Sequence, residues 1–97
     1  MDENVQKLKI IYSTVNWNGP TDKIWDDSQC SNHGHGISDS LDLCKNACLG
    51  KAGCTAINYS LGSGCVLRKC TTPVPDPSWE YSGYNGYFIT QGILNEY

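Results

Sequence analysis

Alternating hydrophobic and polar positions predict four β-strands along the chain. The first covers residues 7–15, where β-branched and aromatic residues dominate and every second residue is apolar. The second and third cover 55–60 and 65–70, and the turn sequence Leu61-Gly-Ser-Gly64 between them predicts a hairpin. The fourth covers 87–91. The chain is therefore expected to contain one β-hairpin and two further strands.

A spacing of three and four residues predicts one short helix between Ser38 and Gly50. Leu41, Cys44 and Cys48 share one helical face, so both cysteines should point toward the sheet. Ser38 is the expected N-cap, and Gly50 is expected to end the helix in a left-handed conformation. In the strand that follows, Ala56 is expected on one face, with Ile57 and Tyr59 on the other.

The remaining segments predict loops. Asn16–Pro20 should interrupt the first strand, because the sequence Asn-Gly-Pro favours a turn. Ile24 and Trp25 are expected to close one end of the core. His33–Gly36 predicts a flexible approach to the helix, and the proline-rich segment 71–78 predicts an extended surface loop.

The chain has 97 residues and six cysteines, which bounds its size and its compartment. Residues 7–91 are expected to form one domain, with tails at 1–6 and 92–97. An even number of cysteines in so short a chain fits three disulfides formed in an oxidising compartment. We therefore expect a secreted or extracellular protein, as a mature domain or fragment whose signal peptide is not in this chain. A cytosolic protein with six thiols is the alternative.

Charge and hydropathy exclude two classes of partner. The net charge is −3, and the basic residues are scattered without a positive stripe, so nucleic acid is not expected as a ligand. No apolar run reaches the length that crosses a bilayer, so membrane insertion is not expected either. The domain is expected to be a monomer or a weak dimer.

No catalytic, cofactor or metal motif is present in the sequence. His33 and His35 follow Cys30, but the cysteine fits a disulfide better than a zinc site, so both histidines are expected in a solvated loop. The aspartates at 22, 26 and 27 lack the alternation of a calcium loop and predict a solvated acidic turn. The sequence contains no nucleophile, metalloprotease or phosphate-loop motif, so a non-enzyme without a cofactor is expected.

Aromatic residues in loops and at strand ends are the candidate ligand-binding residues. Tryptophan and tyrosine have an apolar body and a polar tip, and they often anchor recognition surfaces. Filling of the core is the alternative role for each ring. Asn58 begins an N-glycosylation motif, but its place on a strand argues against its use. The candidate ligand-binding residues form two groups, Asn16, Trp17 and Asn18 in the first and Trp79, Tyr81 and Tyr84 in the second.

The spacing of the cysteines resembles that of the PAN/apple domain family over most of the chain, from Leu8 to Gln91. Six cysteines allow fifteen pairings, so the residues alone leave the connectivity open. The features that carry the resemblance are Cys44-x-x-x-Cys48, Cys54 before Thr-Ala-Ile-Asn-Tyr, Cys65-x-Leu67, and the late Gly83, Tyr84 and Tyr87.

This resemblance implies a fold, a disulfide pattern and a function. The fold is a small disulfide-rich α+β domain, a twisted antiparallel sheet of about four or five strands with one helix packed across it. The function is non-catalytic, extracellular recognition of a protein or a carbohydrate. A small secreted toxin or protease inhibitor, and a structural module of a larger mosaic protein, are the alternatives. The implied disulfides are Cys44–Cys65 and Cys48–Cys54, with Cys30–Cys70 as the third bridge of the apple subgroup.

Overall fold

The computed structural model describes residues 15–90, which form five strands and one helix of nine residues. The strands make a single antiparallel sheet in the order β1-β5-β3-β4-β2. The predicted small disulfide-rich α+β class is confirmed. The predicted tails and residues 7–14 of the predicted first strand lie outside the described residues. In chain order the elements are β1 (Asn16–Thr21), β2 (Cys30–His35), α1 (Leu41–Leu49), β3 (Ala56–Ser60), β4 (Gly64–Cys70) and β5 (Asn85–Thr90).

The helix begins two residues later than the sequence predicts. Ser40, in an extended conformation, is the N-cap, and its side chain accepts a hydrogen bond from the Leu43 N–H at 3.1 Å. Ser38 cannot take this role, because its carbonyl oxygen accepts the Gly62 N–H, which holds the preceding segment extended against the hairpin turn. Gly50 ends the helix in a right-handed conformation, not the left-handed one expected.

The two faces of the sheet bury different clusters, as the alternation in β3 predicts. Ile57 and Tyr59 face the helix and pack with its two cysteines in the first cluster. Ala56 points to the other face and packs with Trp25 and Cys30 in the second. Burial on both faces explains why β3 is the most deeply buried strand, and the predicted burial of Trp25 at the end of the core is confirmed.

Residues 16–20 do not end a strand, contrary to the prediction; they form most of β1. This strand pairs with β5, and its register shifts between Asn18 and Thr21. Gly19, with a φ of 129°, lies within this irregularity and is followed by Pro20. Among the described residues β1 is an edge strand, where proline does not remove a hydrogen bond from an inner ladder. The Asn-Gly-Pro sequence therefore forms a bulge within the strand and not a turn that ends it.

The segment 33–36 also differs from the prediction, since residues 30–35 form strand β2. This strand pairs with β4, with Cys30 opposite Cys70 and Asn32 opposite Arg68, and its register shifts before His35. Glycine and histidine have weak strand propensity, so the pairing depends on tertiary contacts that a local pattern does not carry. The segment 71–78 contains no strand or helix, as predicted.

All six cysteines form disulfides, and the pairing is the one that the resemblance implies. Cys44–Cys65 joins α1 to β4, and Cys48–Cys54 joins the end of α1 to the start of β3. The third bridge, Cys30–Cys70, links the paired strands β2 and β4. Two bridges therefore fix the helix to the sheet, and one fixes an edge strand.

Removal of a disulfide should destabilise the fold more when the bridge closes a longer segment of the chain, with a logarithmic dependence on length. Cys48–Cys54 spans 6 residues, whereas Cys44–Cys65 and Cys30–Cys70 span 21 and 40. Chain entropy then predicts a loss of about 2 kcal/mol for the first pair and about 3–4 kcal/mol for the other two.

Urea unfolding of the three double cysteine-to-alanine variants measures this order. The chain-entropy explanation is wrong if the Cys48–Cys54 variant is the least stable of the three.

Candidate functional site

An open groove of about 620 Å³ lies on the face of the sheet opposite the helix. Its floor is formed by Asn58, Val66 and Arg68, which alternate along β3 and β4 with the residues that face the helix. One wall is the segment 24–28 and the other is the segment 79–84, which contains three aromatic rings. Two irregular segments are thus held above two central strands.

The first wall is fixed by the backbone of Trp25, which is bound to the floor. The Asn58 side chain accepts a hydrogen bond from the Trp25 N–H at 3.2 Å and donates one to the Trp25 carbonyl oxygen at 2.8 Å. The Trp25 indole donates to the Pro75 carbonyl oxygen at 2.7 Å and contacts Phe88 edge to face. Asn58 is only 1% exposed. Both the oxygen and the nitrogen of its side-chain amide form hydrogen bonds that hold this wall.

Asp26 shapes the turn that follows Trp25. Its carboxylate accepts hydrogen bonds from the Ser28 hydroxyl at 2.6 Å, the Ser28 N–H at 2.9 Å and the Gln29 N–H at 3.1 Å. The hydrogen bond from the Ser28 side chain is the main cause that lowers the pKa of Asp26, and the backbone hydrogen bonds add to it. The carboxylate at the rim of the groove is therefore charged at neutral pH.

The second wall is a series of three aromatic rings in edge-to-face contact. The centroids of Trp79 and Tyr81 are 5.3 Å apart and those of Tyr81 and Tyr84 are 5.2 Å apart, with interplanar angles of 83° in both pairs. The backbone groups of Trp79 and Ile24 exchange two hydrogen bonds, which tie this wall to the first. Tyr84 packs against Gly64, where any side chain would collide with the phenol group.

Arg68 places a buried positive charge in the floor. Its residue is 3% exposed, and its Nη1 donates to Asp27 at 2.5 Å and to the Cys30 carbonyl oxygen at 3.2 Å. The Nε group is buried and has no hydrogen-bond partner among residues 15–90. Asp27, in contrast, has a side chain that is 80% exposed. The charge of Arg68 is thus compensated from the solvent side of the groove.

The structure brings together one of the two predicted aromatic groups. Trp79, Tyr81 and Tyr84 all line the groove. The other group, Asn16, Trp17 and Asn18, lies on β1, at the edge of the sheet away from β2.

Trp17 packs partly buried against the helix-side cluster, so its ring serves the core. The Lys45 ammonium lies 5.5 Å from the Trp17 ring centroid and 5.3 Å from that of Tyr87, which places a cation between the helix and two strands. Asn18 donates a hydrogen bond to the Thr90 hydroxyl across the β1–β5 pair. These contacts are structural, and they leave the groove as the candidate ligand site.

Sequence reasoning missed the polar residues of the groove, Asp27, Asn32 and Arg68. The alternation in β4 gave one signal, because Arg68 and Lys69 are adjacent and a strand must place one of them on each face. The other two residues are distant from Arg68 in sequence, and only the pairing of β2 with β4 brings Asn32 opposite it.

The histidines lie on β2 and not in a loop. His33 Nε2 is 2.6 Å from the Ala52 carbonyl oxygen, and since a carbonyl only accepts, this nitrogen carries the proton. His35 is exposed, and Cys30 is committed to its disulfide. Among residues 15–90, no group of three or more histidine, cysteine or acidic residues could hold a metal ion.

The chain matches no protein-family model, no curated protein and no solved structure. Within the described range, no helix has both the length and the hydropathy needed to cross a membrane. The fold and the groove geometry therefore carry the functional interpretation.

Replacement of Asn58 by alanine should destabilise the protein strongly. The change leaves the Trp25 N–H and carbonyl groups buried without partners, which should lower the free energy of unfolding by about 2–4 kcal/mol. Asn46→Ala on the exposed face of α1 is the matched control and should change it little. Urea unfolding compares the two variants, and equal losses would contradict the role given to Asn58.

The low pKa of Asp26 predicts acid sensitivity. Because the carboxyl pKa is lower in the folded state than in the unfolded state, its stabilising effect is present above the unfolded pKa. That effect is lost as the pH falls through the folded pKa.

Unfolding measured from neutral pH downward should show a weaker acid dependence for Asp26→Asn than for the wild type. Asn46→Ala on the exposed side of α1 removes no carboxylate, so it serves as the control and should retain the wild-type pH profile. Identical profiles for Asp26→Asn and the wild type would contradict this assignment.

Proposed function

We propose that the protein is a non-catalytic extracellular recognition module that binds a protein or carbohydrate partner in the groove. The exposure of two large aromatic side chains carries this proposal: Trp79 is 39% exposed and Tyr81 is 52% exposed, on a fixed wall above a charged floor. Rings of this kind with polar groups beside them are the usual anchors of binding sites.

The rigidity of the groove also supports a recognition role. The walls are joined by the Ile24–Trp79 backbone pair, and the Gln29 side chain donates to the Asp76 carbonyl oxygen and accepts from the Ser78 N–H. A preformed site loses little conformational entropy when a ligand binds.

The disulfides support the extracellular assignment. Three bridges leave no free thiol among the six cysteines, which fits an oxidising compartment. The pairing is also the one implied by the resemblance to PAN/apple domains, and it favours the same class of function.

The carboxylates of the groove are poorly suited to acid–base catalysis. Asp26 has a lowered pKa, so at neutral pH it carries no proton to donate and its carboxylate is a weak base. Asp27 is ion-paired with Arg68. These features favour binding over catalysis.

Protease inhibition through the segment 71–78 is less well supported. The carbonyl oxygens of Pro75 and Asp76 accept hydrogen bonds from Trp25 and Gln29, so the middle of this segment is turned toward the domain. Its prolines also lack the N–H groups that a protease would pair with.

Binding through the groove is tested with a glycan array and a panel of secreted proteins. A partner that binds the wild type should bind the Trp79→Ala/Tyr81→Ala variant at least about tenfold more weakly, because both rings act as anchors. Leu61→Ala, at the exposed hairpin turn, is the control and should bind as the wild type does.

Binding that is unaffected by the double variant would contradict the groove as the site. Absence of any partner in both screens would contradict the recognition function itself.

A further inference from the structure

We propose that the groove binds a cationic side chain, a lysine or an arginine that a partner protein presents. This inference rests on the proposed function and selects a basic protein segment over a glycan. Three observations carry it: the angle between the aromatic rings, the excess of carboxylates around them, and the internal compensation of the one positive charge in the floor.

The rings form corners and not a flat surface. Trp79 stands almost perpendicular to Tyr81, and Tyr81 to Tyr84, in both cases at 83°. In each pair the edge of one ring meets the face of the other. The two ring faces then enclose a corner of nearly 90°. A compact cation in such a corner contacts the negative faces of two rings at once. A pyranose ring stacks best on a single flat face.

Carboxylates outnumber cations in the groove. Asp26 and Asp27 line it together with one cation, Arg68, so its lining residues carry a net charge of −1 (two negative, one positive). Asp26 has a lowered pKa and remains ionised. A positively charged ligand is therefore attracted, and an acidic glycan or phosphate is repelled.

A second depression that shares Tyr81 and Tyr84 with the groove is also acidic. It is smaller than the groove, and it is lined by Asp22 and Glu80 and by no basic residue within the described part of the chain. The net charge of the whole chain is −3. The field around the rings thus favours the approach of a basic segment from solvent.

Arg68 repels a cationic ligand less than an unpaired arginine would, because the carboxylate of Asp27 compensates its positive charge. The hydrogen bond joins Arg68 Nη1 to Oδ1 of Asp27, and within residues 15–90 the second oxygen, Oδ2, accepts no hydrogen bond. The side chain of Asp27 is largely exposed, so this oxygen can accept from a ligand. Asp27 can therefore bridge the buried guanidinium and an incoming one.

Nuclear magnetic resonance titration of the disulfide-bonded, ¹⁵N-labelled full chain tests this inference. The probes are acetyl-Gly-Arg-Gly-amide and acetyl-Gly-Lys-Gly-amide at millimolar concentration. The citrulline analogue is the neutral isostere of the arginine peptide, the glutamate analogue reverses the charge, and methyl glucoside and methyl galactoside represent neutral sugars. The readouts are the Trp79 indole N–H and the Tyr81 amide.

The arginine or lysine peptide should shift both readouts saturably. The citrulline peptide should bind at least about fivefold more weakly, and Trp79→Ala should weaken the cationic peptide by a similar factor, because each change removes the cation–π contact. Asp27→Asn should also weaken it, with Asp42→Asn on α1 as the matched control. Leu61→Ala is the control for Trp79→Ala, and the spectrum of each variant reports whether it is folded.

Other results overturn the inference. Equal binding of the citrulline or glutamate peptide, shifts that persist in folded Trp79→Ala, or no shift with either cationic peptide would each exclude a cationic side chain as the ligand. If a sugar shifts the Trp79 indole N–H and neither cationic peptide does, a cationic side chain is also excluded as the ligand. The groove would then remain a recognition site. Failure of the recognition function is a separate result, since it is the absence of any partner in the glycan and secreted-protein screens.

Discussion

The side chain of Asn58 forms hydrogen bonds with both the N–H and the carbonyl group of Trp25. The arrangement of the loops on the sheet face opposite the helix depends on this pair of bonds. Trp25 has no regular strand partner there, so without Asn58 its buried N–H and carbonyl would be unsatisfied. With its backbone fixed, Ile24 on one side can pair with Trp79, and Asp26 on the other can start the turn that carries Asp27 to Arg68. One amide therefore holds the first wall of the groove on its floor.

The two faces of the sheet are stabilised by different means, and this division leaves an open groove on one of them. On the helix side, two disulfides and a compact apolar cluster fix a single short helix. The other face has only the smaller cluster around Trp25 and Cys30, supplemented by hydrogen bonds from side chains to the backbone of irregular segments. Because these segments are held by hydrogen bonds, apolar side chains do not cover the whole of this face. The uncovered part is the floor of the groove.

The elements with a strong local pattern were predictable, and those that depend on distant pairing were not. The helix cysteines, the β3–β4 hairpin and the split of Ala56 from Ile57 all follow from spacings of a few residues. Strands β1 and β2 contain Asn-Gly-Pro and His-Gly-His, and they become strands only because β5 and β4 offer partners. Trp79, Tyr81 and Tyr84 were recognisable as candidate ligand residues, because they lie close together in a loop. Arg68 and Asp27 are 41 residues apart, and no local rule joins them.

The buried arginine is informative about function because it is a poor way to stabilise a fold. A buried ion pair seldom stabilises more than apolar residues of the same shape, and within the described part of the chain the Nε of Arg68 has no partner. Its counter-charge, Asp27, is mostly exposed, so water weakens the pair further. For the fold alone, an apolar residue beside Val66 would serve better. Arg68 does hold the Asp27 carboxylate in the lining of the groove through Oδ1. Within residues 15–90, Oδ2 of this carboxylate accepts no hydrogen bond. The cationic side chain that we propose as the ligand would give the second oxygen of Asp27 a partner, and this is the role that the proposal assigns to the Arg68–Asp27 pair.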